Sequence, residues 1–124
     1  MDKYVDGFVI VVPAEKADGY KEMATMGRDS WMKHGALAYY ECRANDLTQQ
    51  KMGDEATRAF NEMAGAKNGE DVWFSFIVFK SKGHRDEVNA KVIAEMNETQ
   101  QSAESMPVDM TRMAYGGFTV EVEG

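Results

Sequence analysis

The sequence predicts a domain of the α+β class, and three observations support this prediction. Two similar β-branched and aromatic segments, residues 4–12 and 115–122, stand near the two ends of the chain. Between them, apolar residues recur at the three- and four-residue spacing of amphipathic helices. A further strand-like segment, residues 72–79, is the most hydrophobic part of the chain. We expect the two matched outer strands to lie side by side in one sheet.

The first part of the chain is predicted to form a strand, a helix and a second strand. The first strand, residues 4–12, stops at Pro13, which has no N–H to donate to a ladder. The helix of residues 14–33 has an apolar stripe, consisting of Ala17, Tyr20, Ala24, Gly27 and Trp31. Gly35 can adopt the left-handed conformation that ends many helices, and residues 36–43 form the second strand.

The last part of the chain repeats this order. Residues 72–79 form the third strand, and Ser81 is expected to cap the helix that follows. The buried stripe of that helix is predicted to be Val88, Val92 and Met96. After a break at Met106 and Pro107, residues 113–122 form the last strand.

Roughly 28 residues separate the second and third strands, which is too many for a bare loop in a compact domain. Asp54 is predicted to cap a short helix that ends at Gly65, with one side formed by Ala56, Ala59, Phe60 and Met63. The role of the surrounding residues 45–68 is not fixed by the pattern.

These elements give a ferredoxin-like βαββαβ arrangement. A four-stranded antiparallel sheet would carry both main helices on one face. At 124 residues, the chain is predicted to be a single domain, residues 1–124.

Both faces of the predicted strands are apolar, although the two helices can cover only one face. In the first strand, Phe8, Ile10 and Val12 alternate with Val5, Val9 and Val11. In the third strand, Val72, Phe74, Phe76 and Val78 alternate with Trp73, Ile77 and Phe79. An uncovered apolar sheet face would exceed what soluble monomers usually expose. We therefore expect a homodimer through the sheet face, with the strand register deciding whether Phe74 or Trp73 lies in the interface.

Composition excludes several classes of partner and site. A net charge of −7 and a pI near 4.8 argue against nucleic acid, which requires clustered Lys and Arg. Cys42 is the only cysteine, so neither an intrachain disulfide nor a thiolate metal cage is expected. No stretch approaches the roughly 18 apolar residues of a membrane span. The expectation is a cytoplasmic protein without cofactor or metal.

Several segments, in this order and spacing, resemble one known family. They are Tyr4-Val-Asp-Gly-Phe8 with Pro13, His34-Gly-Ala-Leu37 before Glu41-Cys42, Val72-Trp-Phe-Ser-Phe76, Ser81-Lys with His84-Arg85-Asp86, Met106-Pro-Val-Asp109, and Arg112-Met-Ala-Tyr-Gly-Gly-Phe118. The chain resembles the uncharacterised YbaA-type family of the dimeric α+β barrel superfamily over nearly its whole length. It departs from that family in residues 45–68, which are rich in Met and Gln. The resemblance implies the fold and a dimer, and no catalytic residue.

Two functions follow from the superfamily, whose members include cofactor-free oxygenases, haem-degrading enzymes, peroxidases and isomerases. The first is a homodimer that binds a small apolar or aromatic acidic ligand without catalysis. The alternative is a cofactor-independent oxygenase or isomerase acting on a small aromatic or enolisable substrate. Fold alone does not choose between them.

The ligand-binding candidates lie mainly at the start of the last strand. Arg112 could hold a carboxylate or enolate oxygen, and Tyr115 could donate to the same oxygen. Gly116 and Gly117 would allow close approach of a ligand, and Trp73 could stack on an aromatic ring. The alternative is structural: Arg112 pairs with Asp109 or Glu41, the glycines form a bulge, and Trp73 is core. If a site exists, it should lie between the start of the last strand and the end of the first helix.

The remaining candidates for chemistry are few. His34, at the end of the first helix, is a weak candidate for a general base or haem ligand, or is simply favoured there by the helix dipole. His84 is predicted to be a solvated surface residue. Cys42 is predicted to be an inert, half-buried thiol, and Glu41 faces the opposite side of the strand from it.

Overall fold

The computed structural model describes residues 2–99 and 108–124. Its elements, in chain order, are β1 (Tyr4–Pro13), α1 (Ala17–Lys33), β2 (Ala38–Arg43), β3 (Lys51–Met52), β4 (Glu55–Ala56), α2 (Phe60–Ala64), β5 (Glu70–Phe79), α3 (Lys82–Thr99) and β6 (Ala114–Thr119). Single 3-10 turns, Ala14–Lys16 and Met110–Arg112, precede α1 and β6. No helix within the described ranges is both long and apolar enough to cross a membrane.

Four strands form one antiparallel sheet in the order β2-β5-β1-β6. The central strand β1 pairs with β5 on one side and with β6 on the other, so that Phe8 lies opposite both Ser75 and Tyr115. Each βαβ unit therefore has one strand of the other unit between its own two strands. This is the predicted ferredoxin-like topology, with the first and last strands adjacent, and it is confirmed.

The core lies between the sheet and the two long helices. Two clusters of buried side chains form it, one around Val12, Tyr20 and Trp73, and the other around Phe79 and Val88. The first packs under α1 and the second under α3, because β1 and β5 direct alternate residues toward the helices. The predicted helix stripes are confirmed at Tyr20 and Val88 but not at Met96, which is exposed.

The opposite side of the sheet, here called the open face, faces away from α1 and α3. By register it consists of Val5, Gly7 and Val9 of β1, Tyr40 and Cys42 of β2, Phe74, Phe76 and Val78 of β5, and Ala114, Gly116 and Phe118 of β6. Both sheet faces are thus apolar, as predicted. The register also places Trp73 in the core, 4% exposed, and Phe74 on the open face, 43% exposed.

The segment between β2 and β5 differs from the prediction. Asp54 does not cap a helix, because Met52 and Glu55 belong to a two-stranded hairpin whose turn includes Gly53 at φ +68°. The helix α2 begins only at Phe60 and ends, as predicted, at Gly65 in the left-handed conformation. A hairpin forms in place of the predicted start of the helix because Gly53 adopts the positive φ that a tight turn requires.

Other bounds differ by a few residues. The second strand begins at Ala38, and the last strand spans Ala114–Thr119, shorter than predicted. Ser81 caps α3 as expected, since its Oγ accepts from the His84 N–H at 3.1 Å. The predicted break at Met106 and Pro107 lies outside the described residues.

Candidate functional site

A concave cavity of about 570 Å³ lies on the open face where β5, β1 and β6 run side by side. Open-face residues of these three strands line it, together with Phe8 and Tyr115. Its volume falls within the range of roughly 300–1,000 Å³ that small-molecule sites occupy. The lining is apolar apart from the phenol of Tyr115, so the cavity is suited to bind an apolar molecule by excluding water.

Within the open face, the half formed by β2 and β5 carries large side chains, and most residues of the half formed by β1 and β6 are small. On β2 and β5, the rings of Tyr40 and Phe76 stack at 5.0 Å between centroids, and Phe74 lies 5.8 Å from Phe76. On β1 and β6, Gly7 and Gly116 lie directly opposite one another. A Cβ at either glycine would come within 3.3 Å of the Phe118 ring, which covers both.

Asp6 is a buried carboxylate on the helix-facing side of β1, only 1% exposed. It accepts hydrogen bonds from Arg85 Nη1 at 2.8 Å and from Asn89 Nδ2 at 3.3 Å. Arg85 also donates to the Tyr115 hydroxyl at 2.6 Å and lies over the Tyr4 ring. Burying a charge is costly unless it is paired and hydrogen-bonded, and this network satisfies both conditions.

Glu41 forms a second polar cluster between β2 and α1. Its two carboxylate oxygens accept from Tyr20 Oη at 2.6 Å and from Tyr39 Oη at 2.7 Å. Burial, together with the hydrogen bond to Glu41, raises the pKa of both tyrosines. The phenols therefore stay neutral donors at physiological pH, and the bond from Tyr20 ties α1 to the edge strand β2.

Arg112 is held by Glu70 rather than standing free beside Tyr115. Its Nη1 and Nη2 donate to the two Glu70 oxygens at 2.7 and 2.8 Å, and Nη2 also donates to the Gly65 carbonyl at 2.8 Å. The hydrogen bond from Arg112, aided by the Lys67 N–H, lowers the pKa of Glu70 from 4.5 to about 2. The predicted structural partners of Arg112, Asp109 or Glu41, are wrong. The carboxylate is provided by Glu70, which lies just before the predicted third strand.

The other predicted ligand residues lie in different environments. Gly116 and Tyr115 line the cavity, although the Tyr115 hydroxyl is bonded to Arg85. A side chain at Gly117 would collide with the Tyr4 ring, so this glycine serves internal packing. Trp73 packs edge-on against a core tyrosine, and its indole N–H is buried without an acceptor among the described residues.

His34 lies at the end of α1 and is bonded to a carboxylate of α3. Its Nε2 is 2.6 Å from Glu95 Oε2, and Lys33 contacts the same oxygen at 3.2 Å. Hydrogen bonds from His34 and Lys33 lower the pKa of Glu95. The contact links the two helices.

The end of α1 and the start of β6 do not form a common site. The Leu37 N–H donates to the Val78 carbonyl, and Val78 lies opposite Val5, which in turn lies opposite Phe118. The end of α1 therefore lies at the same end of the sheet as the last residues of β6, with β5 and β1 between them, and at the opposite end from Arg112. The predicted location of a ligand site between these two points is wrong.

Two further predictions need correction. His84 is not a solvated surface residue, because its Nδ1 accepts from the Lys80 N–H at 3.0 Å and its ring packs edge-on against Phe79. Cys42 is exposed rather than half-buried, since β2 is an edge strand and its open face has no cover. Within the described ranges, no group of three or more His, Cys, Asp or Glu side chains is arranged to hold a metal ion.

Asp6 and Arg85 are the structural residues that sequence reasoning missed. The signal was present, because alternation in β1 places Asp6 on the same face as Phe8 and Ile10. A carboxylate on a core-facing position requires a cationic or hydrogen-bonding partner. The sequence pattern could not reveal that this partner is Arg85, which lies 79 positions away.

Comparisons with known proteins agree with this fold. Residues 3–110 match the family described as "Protein of unknown function (DUF1428)". The uncharacterised protein YbaA of Escherichia coli K12 and that of Shigella flexneri are each 42% identical over 116 residues, covering 94% of this chain and 94% of the relative. A crystal structure of a dimeric ferredoxin-like protein from an uncultured marine organism aligns over 100% of both chains, with a TM-score of 0.57 and 10% identity. By its match to the family and its identity to the curated relatives, the chain belongs to the DUF1428 family.

Proposed function

We propose that the chain forms a homodimer through its open face and binds a small, uncharged apolar or aromatic molecule in the cavity there. The observation that carries this proposal is the uncovered apolar surface of the sheet. Phe74, Tyr40 and Phe118 are 43%, 53% and 60% exposed on one side of a single sheet. Apolar patches of this kind mark interaction or ligand sites in soluble proteins.

The second copy of the chain is the occupant that best fits the bulky half of this face. Packed sheets lie about 10 Å apart, and side chains from both inner faces fill the space between them. Tyr40, Phe74 and Phe76 have the size to interdigitate with a partner sheet. The Phe118 ring lies over Gly7 and Gly116, and the cavity that these residues help to line would remain beside it for a ligand. The marine ferredoxin-like neighbour, itself described as dimeric, supports a homodimer.

The character of the lining favours an uncharged ligand. No cation and no carboxylate, imidazole or thiol is among the described residues that line the cavity. Arg112, expected to bind an acidic group, is engaged by Glu70. A ligand carboxylate would have to be buried without a partner, which is costly. For the same reason we propose binding rather than oxygenase or isomerase chemistry.

We also propose that the dimer works in the cytoplasm. The thiol of Cys42, the only cysteine of the chain, would persist unoxidised in a reducing compartment. Fractionation that recovers the protein outside the cytoplasm would contradict this.

The test combines oligomeric state with a matched pair of probes. Light scattering should give twice the 13.9 kDa mass of one chain. Calorimetry should show binding of 2-naphthol, and binding of 2-naphthoate weaker by at least about ten-fold, because its carboxylate has no partner in the cavity. A monomeric mass would contradict the dimer, and equal affinity for the two probes would contradict an uncharged ligand.

A further inference from the structure

The helix α2 is too short to be stable without support from the rest of the fold. It has five residues, and its N-cap, Ala59, has no side-chain hydrogen bond to the first turn. Isolated helices shorter than about 12–15 residues are marginal in water. The position of α2 must therefore depend on the tertiary contacts made at its two ends.

Those contacts tie α2 to the start of β5 and to the turn before β6. At its C-terminal end, the Gly65 carbonyl accepts from Arg112 Nη2 at 2.8 Å, and the same guanidinium is paired with Glu70. At its N-terminal end, the Phe60 ring packs edge-on against the Phe74 ring, with 6.3 Å between the centroids.

The second of these contacts reaches the cavity. Phe74 is one of the cavity-lining residues. Beyond it, Val11 and Val72 lie on the same side of the sheet, yet each is only 3% exposed. The helix α2 contacts both β1 and β5, so it covers the part of the open face near Val11 and Val72 and leaves the neighbouring part uncovered.

We propose that Arg112 is a positioning residue for the cavity. By joining Glu70 to the carbonyl of Gly65, the C-cap of α2, it holds Phe60 against Phe74 and keeps the α2 end of the cavity closed. This inference rests on the proposed function of the cavity as a ligand site. Without the guanidinium, α2 loses the attachment of its C-terminal end, the Phe74 ring loses its support, and a bound ligand escapes faster.

The test compares variants that separate the ion pair from the bond to the carbonyl. Arg112→Ala removes both, and Arg112→Lys keeps the charge but not the planar fork that contacts three oxygens. The exchange Glu70→Arg with Arg112→Glu restores an ion pair, but a carboxylate at position 112 cannot donate to the Gly65 carbonyl. Arg43→Ala is the matched control, because it breaks the comparable pair with Asp71 without touching α2.

Three measurements report on the inference in the intact chain. Amide exchange is followed at Gly65 and Ala66, whose N–H groups bond to the Glu62 and Asn61 carbonyls. Nuclear magnetic resonance reports the Phe60–Phe74 ring contact, and stopped-flow fluorescence gives the dissociation rate of 2-naphthol. Arg112→Ala should speed exchange and probe dissociation about ten-fold or more, because it removes the charge-assisted bonds to Glu70 and to the Gly65 carbonyl together.

Arg112→Lys should give a smaller change in the same direction, and Arg43→Ala should match the parent. The charge exchange should behave like Arg112→Ala. If it behaves like the parent, or if Arg112→Ala keeps the ring contact and slow exchange, the positioning role is overturned. If the parent chain binds no probe, the proposed function fails, whereas the exchange and ring measurements still decide the role of Arg112.

Discussion

At the scale of single residues, three acids of the described structure are hydrogen-bonded by nearby donors. Asp6 has Arg85 and Asn89, Glu41 has two phenols, and Glu70 has the fork of Arg112. Each set fixes the position of the element that provides the donor, because a buried or half-buried carboxylate accepts only in defined directions. These clusters consequently read as structural supports around an apolar cavity.

Replacement of Asp6 should show how much its pair contributes. Asp6→Asn leaves the Arg85 guanidinium, whose side chain is 14% exposed, without its buried counter-charge. Removal of one partner from a buried pair typically costs roughly 3–5 kcal/mol of unfolding free energy. Urea unfolding measures this loss. Asp86→Asn removes the exposed partner of the same guanidinium and should cost much less, because water screens this pair. Equal losses in the two variants would contradict the expectation.

The tyrosines bonded to Glu41 should ionise late. Burial and then the hydrogen bond to Glu41 raise the pKa of Tyr20 and Tyr39 above the ordinary value of 10.0. Their contribution to stability is fully present below pH 10 and is lost as the pH rises beyond it. Ultraviolet absorbance should therefore show these two of the five tyrosines ionising only with unfolding. Tyr39→Phe should remove one phenolate from that late step, and a single reversible transition for all five would refute it.

At this scale, the sequence predicted the kind of group that a residue can bind better than it predicted which residue provides that group. The alternation of side chains along the third strand placed Trp73 on one of two apolar faces. Only the strand register shows that this face belongs to the core. Arg112 was recognised as a residue able to bind a carboxylate. The carboxylate it binds belongs to Glu70, 42 positions away, and such a distance in sequence leaves no local pattern.

At the scale of elements, the connection between β2 and β5 is the part of the fold that depends most on individual contacts. The long helices and strands bury periodic apolar stripes, which sequence shows directly. By contrast, β3, β4 and α2 are two to five residues long, and a pattern of this length fits a hairpin and a helix equally well. The positive φ of Gly53 favoured the hairpin.

Acid should release α2 before it unfolds the sheet. The pKa of Glu70 is depressed from 4.5 to about 2, so its contribution is present above pH 4.5 and is lost as the pH falls toward 2. The protection factor of the Ala66 amide, which corrects the exchange rate for its intrinsic pH dependence, should fall over this interval as Glu70 becomes protonated. Glu70→Gln should already exchange fast at neutral pH and show no such transition; a parental profile in this variant would contradict the assignment.

At the scale of the whole molecule, the sequence predicted the strand order and two apolar sheet faces, but it did not predict the shape of the open face. The order of strands and the coverage of one face follow from alternation and from the number of helices. The shape of the open face does not follow, because it depends on which small residues meet across strands. The pairing of Gly7 with Gly116 is visible only once the register is known.

A charge on the open face should separate the proposed dimer. Phe74→Glu would place a carboxylate in the interface, where it cannot be hydrated, and light scattering should give the mass of one chain. Ile93→Glu is the matched control, because Ile93 is an exposed apolar residue of α3, on the other side of the sheet. This variant should keep the parental mass. A dimer that survives Phe74→Glu would exclude the open face as the interface.

The central position of β1 also has a consequence for how the chain is made. Its residue Tyr4 pairs with both Phe79 and Thr119, so one edge of the first strand waits for the last strand. Ribosomes add about 5–20 residues per second, which delays that partner by roughly 5–20 s. During this interval the nascent chain carries an unpaired strand edge, a template for wrong pairing with other chains. Pairing strands so far apart in sequence also slows folding, so this edge stays exposed for longer.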